Sequence, residues 1–169
     1  MPRPSAPTRI RDVLWRGGLR VAYSLQRLYW FVFRPEQRGV YVAVWHRGRL
    51  LVVKLSYRSA ATIPCGAVKR GEPRASAAAR ELAEEVGIDV RPEALRFVGE
   101  VVNHSGYLKD HCDVFELDLS EEPAVRVDRR EVVRAAFRTP AEILAGPLSP
   151  VVRAYLTELP AGRARAASD

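Results

Sequence analysis

Residues 66–88 have the sequence GAVKRGEPRASAAARELAEEVGI, and this stretch decides the fold. It begins with a loop that contains Gly66 and Gly71, and a loop backbone without Cβ atoms can approach a ligand closely. Pro73 then suits the first turn of a helix. The following residues are rich in alanine, and Gly87 is the residue type that most often closes a helix. The stretch therefore predicts a glycine-containing loop and a helix over Pro73 to Val86.

The C-terminal half of this helix contains three glutamates, Glu81, Glu84 and Glu85. Their spacing of i, i+3 and i+4 places the carboxylates on one side of the helix. Like charges at this spacing repel, and the helix dipole disfavours negative charge near the C-terminal end. Hard divalent cations such as Mg²⁺ or Mn²⁺, which take oxygen ligands, would compensate this repulsion, and Arg80 could neutralise one carboxylate. On the helix alone, the alternative is an ordinary solvated charged face.

The spacing over the whole stretch resembles the Nudix box. That pattern is Gly-x5-Glu-x7-Arg-Glu-U-x-Glu-Glu-x-Gly-U, where U is apolar and is here Leu82 and Ile88. Seven fixed identities would coincide by chance at a given starting position about once in 10⁸. The similarity extends from Gly39 to near Leu159, so the chain resembles Nudix hydrolases over everything except its N-terminal segment.

The resemblance implies an enzyme that uses Mg²⁺ or Mn²⁺ to cleave the diphosphate linkage of a nucleoside diphosphate joined to another group X. It implies that Glu81, Glu84 and Glu85 bind the metal and that Glu81 also helps to deprotonate the attacking water. Arg80 would orient a glutamate, and Glu72 would lie beside the site. The expected partner is therefore a small nucleoside diphosphate-type substrate.

Cys65 departs from the family pattern. In Nudix hydrolases the backbone carbonyl of the residue before the first glycine of the box often joins the metal ligands, and most relatives have glycine there, whereas this chain has Pro64-Cys65-Gly66. A carbonyl ligand survives the change, but a Cβ is added where the backbone would need unusual angles. Two expectations follow, either an altered activity or metal affinity, or a tolerated small side chain.

The residues around the box predict a mixed sheet with helices on its faces. Runs rich in Val, Tyr and Trp at Gly39 to Trp45 and Leu50 to Leu55 predict a hairpin. Further strands are predicted at Leu95 to Val102, Cys112 to Leu119, Val125 to Val127 and Val132 to Phe137. Helices are predicted at Pro140 to Ala145 and Pro150 to Leu159, with Thr139 and Ser149 as N-caps. This order favours an α/β fold, an α/β/α sandwich such as the resemblance implies.

The N-terminal segment has a different pattern. Apolar residues between Thr8 and Phe33 recur at the spacing of an amphipathic helix, which Pro35 would end. The helix would pack on its own domain or on a second subunit, as in a homodimer, or lie on an anionic membrane surface. Its arginines argue against a membrane span and against a signal peptide. The predicted organisation is a helical extension at residues 1–36, a Nudix domain at 37–159 and a flexible tail at 160–169.

Further candidate site residues lie outside the box. Tyr57 and Arg58 could face the substrate, with Arg58 suited to a bidentate phosphate contact. Glu131 resembles a family position in the loop before a late strand, where it would reach the metal site or remain a solvated carboxylate. Three residues are predicted in a loop between two strands without any metal-binding spacing: His104, Tyr107 and His111.

The overall composition excludes several function classes. The formal net charge is +7, but the 27 Lys and Arg residues are spread along the chain, so no dedicated nucleic-acid site is expected. Two cysteines are too few for a disulfide framework and have no zinc-type spacing, which favours a reducing cytoplasm. Two alternatives to a cytoplasmic hydrolase of nucleotide substrates stay open. They are a non-catalytic nucleotide-binding module and a membrane-associated hydrolase of a lipid-linked diphosphate.

Overall fold

One six-stranded mixed sheet forms the centre of the computed structural model, which describes residues 36–105, 108–127 and 131–161 together with Ala22, Leu25 and Ala164. The predicted N-terminal helix, Tyr107 and most of the predicted tail at 160–169 lie outside these residues. The strands are β1 (Glu36–His46), β2 (Arg49–Leu55), β3 (Cys65–Ala67), β4 (Arg96–Ser105), β5 (Leu108–Asp118) and β6 (Val132–Arg138). The helices are α1 (Arg74–Val86), α2 (Pro140–Leu144) and α3 (Pro150–Thr157), with a 3₁₀ turn at Pro92–Ala94.

Strand β1 is the branching point of the sheet, whose order is β4-β5-β1-β2-β6 with β3 also paired to β1. On one edge β1 runs parallel to β5 along its length. On the other edge β2 pairs only with its last residues, so the two strands separate, and β3 pairs with its first part, as in Tyr41↔Cys65. The amide of Val42 donates to the Pro64 carbonyl at 2.8 Å across this gap. The separation therefore places the start of the box beside the centre of the sheet.

Each face of the sheet is covered by a helix because each has its own apolar layer. Helix α1 buries Leu82 and Val86 together with its alanines against one face, where Val42, Val44 and Leu51 contact them. Helix α3 buries its apolar side chains on the other face, in a cluster of Ala43, Trp45, Leu50, Ile63, Val114, Val151, Val152, Tyr155 and Leu156. The predicted α/β/α sandwich with a mixed sheet is thus confirmed for the described part of the chain.

A buried polar chain links the sheet to α3. The indole nitrogen of Trp45 donates to the Tyr155 hydroxyl at 2.8 Å, and that hydroxyl donates to the buried carboxylate of Glu116. Arg96, from the neighbouring strand β4, pairs with the same carboxylate. Because all the members except Arg96 are buried, this network fixes the docking of α3 more specifically than apolar contacts alone.

Tyr155→Phe should lower the free energy of unfolding by about 1–3 kcal/mol, because it removes both hydrogen bonds of one buried hydroxyl without changing the ring. Urea denaturation followed by tryptophan fluorescence would measure the change. Tyr57→Phe is the matched control, since the Tyr57 hydroxyl makes a part-buried bond to Glu131, and it should cost less. Equal losses in the two variants would contradict the role of the network.

Most predicted elements are found close to their predicted bounds, and both N-caps are confirmed. Thr139 forms a capping box with Glu142, and the Ser149 hydroxyl accepts from Val152 N. The predicted strand Val125 to Val127 is wrong. This segment is not part of the sheet, because Arg126 N donates to the Val86 carbonyl at 2.9 Å and so pairs with the end of α1.

The predicted loop between the fourth and fifth strands is also wrong in part. His104 and His111 lie within β4 and β5, which form a long antiparallel hairpin and not a recognition loop. The ring of His111 contacts Glu100 at 2.5 Å across this hairpin. Alternation of polar and apolar residues is weak there, so the sequence pattern did not indicate how far the two strands extend. None of the helices in the described residues is long and apolar enough to cross a membrane.

Candidate active site

The loop and helix of the glycine-containing stretch form as predicted. Helix α1 begins after Pro73, whose backbone is extended, and ends where Gly87 adopts φ 70° and donates to the Ala83 carbonyl. This left-handed conformation is readily available to glycine, and it closes the helix directly behind the glutamates. The apolar side of α1 is held against the sheet, so its remaining side is presented to the loop and to β3.

The three glutamates of α1 occupy different environments. Glu84 is the most exposed, with 58% of its side chain accessible, whereas the side chain of Glu81 is 14% exposed. Glu85 is buried and faces β3, where its carboxylate accepts a hydrogen bond from Cys65 N at 3.0 Å. The helix therefore does not present three equivalent solvated carboxylates, which argues against an ordinary charged surface.

Arg80 organises the carboxylates around it. Its guanidinium binds both oxygens of Glu72, at 2.8 and 3.0 Å, and also contacts Glu81 at 2.5 Å and Glu84 at 3.3 Å. A further bond at 3.1 Å reaches the Ala67 carbonyl of β3. This bidentate pair and the Lys69 amide lower the pKa of Glu72 to about 2. Glu72 thus acts as the fixed anion that positions Arg80 between the helix and the loop.

Gly66 makes close contact with Glu81. A Cβ built on Gly66 would lie 2.0 Å from the Glu81 carboxyl carbon and 2.2 and 2.3 Å from its oxygens. The position of this carboxylate therefore requires a glycine here. Backbone conformation does not, since the φ of Gly66 is not positive. Burial raises the pKa of the Glu81 carboxyl, although Arg80 opposes the shift.

Cys65 lies in an ordinary strand. It pairs with Tyr41 of β1. Its φ is not positive, because among the described non-glycine residues only Arg47 has a positive φ. The expectation that a Cβ at position 65 would meet unusual backbone angles is therefore wrong, because the strand conformation accepts any side chain. Burial and the nearby Glu85 raise the pKa of the Cys65 thiol. The thiol is thus neutral near pH 7, and a thiolate nucleophile is not indicated here.

The wall opposite the helix comes from the segment after β2 and from the start of β6. The Tyr57 hydroxyl donates to Glu131 at 2.6 Å, and the Ser56 amide donates to the Glu131 carbonyl at 2.8 Å. The guanidinium of Arg58 lies 5.9 Å from the centre of the Tyr57 ring, within cation–π range. Glu131 is consequently a held carboxylate and not a solvated loop residue.

These parts enclose an open cleft of about 470 Å³. Seven of the eight predicted site residues line it: Tyr57, Arg58, Cys65, Arg80, Glu81, Glu84 and Glu131. Glu85 lies behind them, against the Cys65 amide. Sequence reasoning missed the five further lining residues whose side chains carry polar atoms, namely Arg38, Tyr41, Lys69, Asp110 and Cys112. Four of them come from β1 and β5, and only the parallel pairing of those strands brings them to the cleft, so no local motif could have indicated them.

The carboxylates do not form a ready metal cage. Among the described residues, no three His, Cys, Asp or Glu side chains are grouped so that they could hold a metal ion. Arg80 occupies the space between Glu81 and Glu84. The donor chemistry nevertheless suits hard divalent cations, because oxygen donors of Glu81, Glu84, Glu131 and the Cys65 backbone border one cleft.

Known structures share this fold. A MutT Nudix hydrolase from Burkholderia pseudomallei has 21% identity over 70% of this chain and 94% of its own, with a TM-score of 0.62. The Nudix domain of Shewanella oneidensis NrtR, complexed with ADP ribose, has 17% identity over 70% and 82% of the two chains, with a TM-score of 0.59. A Caenorhabditis elegans Ap4A hydrolase has 19% identity over 64% and 84%, with a TM-score of 0.56. No protein of curated function is significantly similar in sequence.

The sequence itself matches the NUDIX domain family over residues 35–159. The match spans the sheet and the helices on both of its faces, the whole box and the Glu131 wall of the cleft. Because it extends over most of the chain, this protein belongs to the NUDIX domain family.

Proposed function

We propose that the protein is a metal-dependent hydrolase that cleaves the diphosphate linkage of a nucleoside diphosphate joined to a group X. The observation on which this rests is the cleft itself, in which carboxylates of Glu81, Glu84 and Glu131 face the cationic side chain of Arg58. A cleft that holds both carboxylates and a guanidinium can bind a metal–diphosphate complex, since the carboxylates suit the cation and Arg58 suits the phosphate oxygens.

The proposed metal is Mg²⁺ or Mn²⁺, held by Glu81, Glu84, Glu85 and the Cys65 carbonyl. When bound, it would neutralise phosphoryl charge and lower the pKa of a water molecule. Glu84 is exposed and meets Arg80 at the long distance of 3.3 Å, so it can turn towards a cation at little cost. The Cys65 amide holds the Glu85 carboxylate beside the carbonyl of the same residue.

The side chains of this chain would then orient the substrate and accept a proton. Arg58 would bind phosphate oxygens in a bidentate contact. The Tyr57 hydroxyl holds the Glu131 carboxylate at the edge of the cleft. Glu81, kept in place by Arg80 and by the close approach of Gly66, accepts the proton of the attacking water. Water attack on one phosphorus gives a nucleoside monophosphate and phosphorylated X.

The substrate class is supported by related folds. The solved NrtR domain is complexed with ADP ribose and another neighbour is an Ap4A hydrolase, and both ligands contain a nucleoside next to a diphosphate linkage.

A panel of nucleoside diphosphate compounds tests the proposal. With Mg²⁺ or Mn²⁺ we expect turnover of at least one compound, detected as phosphate released from the products by an added phosphatase, and no turnover with EDTA. Nucleotide binding without turnover across the panel would replace this proposal by the non-catalytic nucleotide-binding alternative. A non-catalytic module would not need carboxylates in fixed positions, whereas here Arg80 holds Glu81 and Tyr57 holds Glu131.

A further inference from the structure

A second depression lies next to the cleft, between strand β2, the edge strand β6 and helix α2. This β2–β6 groove has a volume of about 370 Å³ and is lined by Val52, Lys54, Arg134, Ala136, Arg138 and Ile143, among others. Sheet register places Lys54 directly opposite Arg134, and Leu50 opposite Arg138. Because alternate residues of a strand face the same side, Lys54, Arg134 and Arg138 all project into one surface.

The groove adjoins the active-site cleft along one segment of the chain. A third cavity, of about 490 Å³, lies along residues 54–59 between them. It shares Lys54 and Ser59 with the groove, and it shares Tyr57 and Arg58 with the cleft. Residues 54–59 therefore form a short segment between the cleft and the groove, and a ligand that extends past Arg58 would next meet Lys54, whose amine also contacts the Ser59 carbonyl.

Basic side chains outnumber acidic ones along the groove and residues 54–59. Arg58, Lys54, Arg134 and Arg138 follow one another, and Glu142 is the acidic residue lining the groove. Glu142 is already engaged, since it caps α2 at Thr139 and pairs with Arg138 at 3.4 Å. Within the part of the chain that the structure describes, Arg134 forms no ion pair.

We propose that the β2–β6 groove binds phosphate groups of X, so that the substrate continues beyond its scissile diphosphate as a phosphate-bearing chain. This inference rests on the proposed function, because it is the position of the cleft that makes the groove an extension of the substrate site. A neutral X such as a sugar would leave Arg134 and Lys54 without a counter-ion. The distance from Arg134 to Arg138, four residues along a strand, is about 13 Å, which is enough for more than one phosphate.

Direct binding distinguishes this groove from a general attraction of anions to a basic protein. The groove variant is Lys54→Gln/Arg134→Gln, and the matched control is Arg91→Gln/Arg153→Gln, two exposed arginines elsewhere. Both lower the net charge of +7 by two. Isothermal titration calorimetry would compare inorganic pyrophosphate, a short linear polyphosphate and a short 5′-phosphorylated oligonucleotide in wild type and both variants.

We expect the groove variant to bind at least one of the two longer ligands about tenfold more weakly than wild type, as two partly exposed charge contacts allow, and the control variant to bind like wild type. Pyrophosphate, which occupies only the cleft, should bind all three proteins alike. Whichever longer ligand responds identifies the source of the phosphate chain, a polyphosphate or a nucleic-acid end. Equal losses in both variants, or no loss in either, would overturn the proposal.

The measurement is independent of turnover. If no compound of the diphosphate panel is hydrolysed, the proposed function fails even when the groove binds polyphosphate. If hydrolysis is found but the groove variant binds every ligand like wild type, only the groove proposal fails.

Discussion

Glu85→Gln is expected to lower kcat/KM for diphosphate hydrolysis by at least about 100-fold, which corresponds to about 2.7 kcal/mol of transition-state stabilisation. The amide has the shape of the carboxylate but lacks its charge, so the proposed metal site loses an anionic ligand. Its carbonyl oxygen can still accept the hydrogen bond from Cys65 N. The fold should therefore be retained while the chemistry is lost.

Thermal unfolding separates these two effects. Glu85 is buried, and a buried carboxylate carries a desolvation cost that the neutral amide avoids, so the metal-free variant should melt no lower than the metal-free wild type. Added Mn²⁺ should raise the Tm of wild type, because a ligand that binds the folded state stabilises it, and should raise that of the variant much less. Glu93→Gln, on an exposed glutamate of the 3₁₀ turn, is the control and should behave like wild type. Full activity of Glu85→Gln would exclude this residue from the site.

Gly66→Ala should also reduce turnover by at least about 100-fold, again about 2.7 kcal/mol, with only a small change in stability. The added methyl would occupy the position of the Glu81 carboxylate, which is 2.0–2.3 Å from the place of the new Cβ. The end of a glutamate side chain can move away at low cost to the fold. Once displaced, however, the carboxylate would no longer be positioned by Arg80 for proton transfer.

Gly146→Ala is the matched control for this substitution, because a Cβ at Gly146 meets only ordinary contacts, at 3.8 Å and beyond. Steady-state kinetics and thermal unfolding of both variants would test the idea. Wild-type activity in Gly66→Ala would show that Glu81 works equally well from another position, so the close approach of β3 and α1 would have no catalytic role. Loss of folding in Gly66→Ala alone would show that the contact is structural.

The sequence predicted the box region well because its signals are local. Pro73 and Gly87 act on the backbone within one turn, and the buried alanines set which side of α1 meets the sheet. The glutamate spacing follows from helix geometry alone. Thr139 and Ser149 likewise cap their helices through bonds to residues three positions away. For helix ends, caps and side-chain spacing, the contacts that form the feature and the sequence pattern that predicts it lie within the same few residues.

Errors arose where pairing between distant segments decided the outcome. The segment Val125 to Val127 has the composition of a strand, yet its backbone bonds to the end of α1. The hairpin of β4 and β5 extends through a segment whose side-chain pattern resembles a loop. In both cases a backbone donor finds its partner in another element, and side-chain pattern carries little information about that choice.

The sequence by itself determined the family, the α/β/α class and the helix of the candidate site, because short-range spacing is written directly in the order of residues. Only the tertiary structure decided that Glu85 is buried against the Cys65 amide and that Asp110 and Cys112 line the same cleft. It also decided that the Glu81 carboxylate occupies the space that a Cβ on Gly66 would need. It likewise placed the β2–β6 groove next to the cleft. These arrangements depend on how far β1 and β2 separate and on which strands become neighbours, and such long-range packing is not contained in any one stretch of sequence.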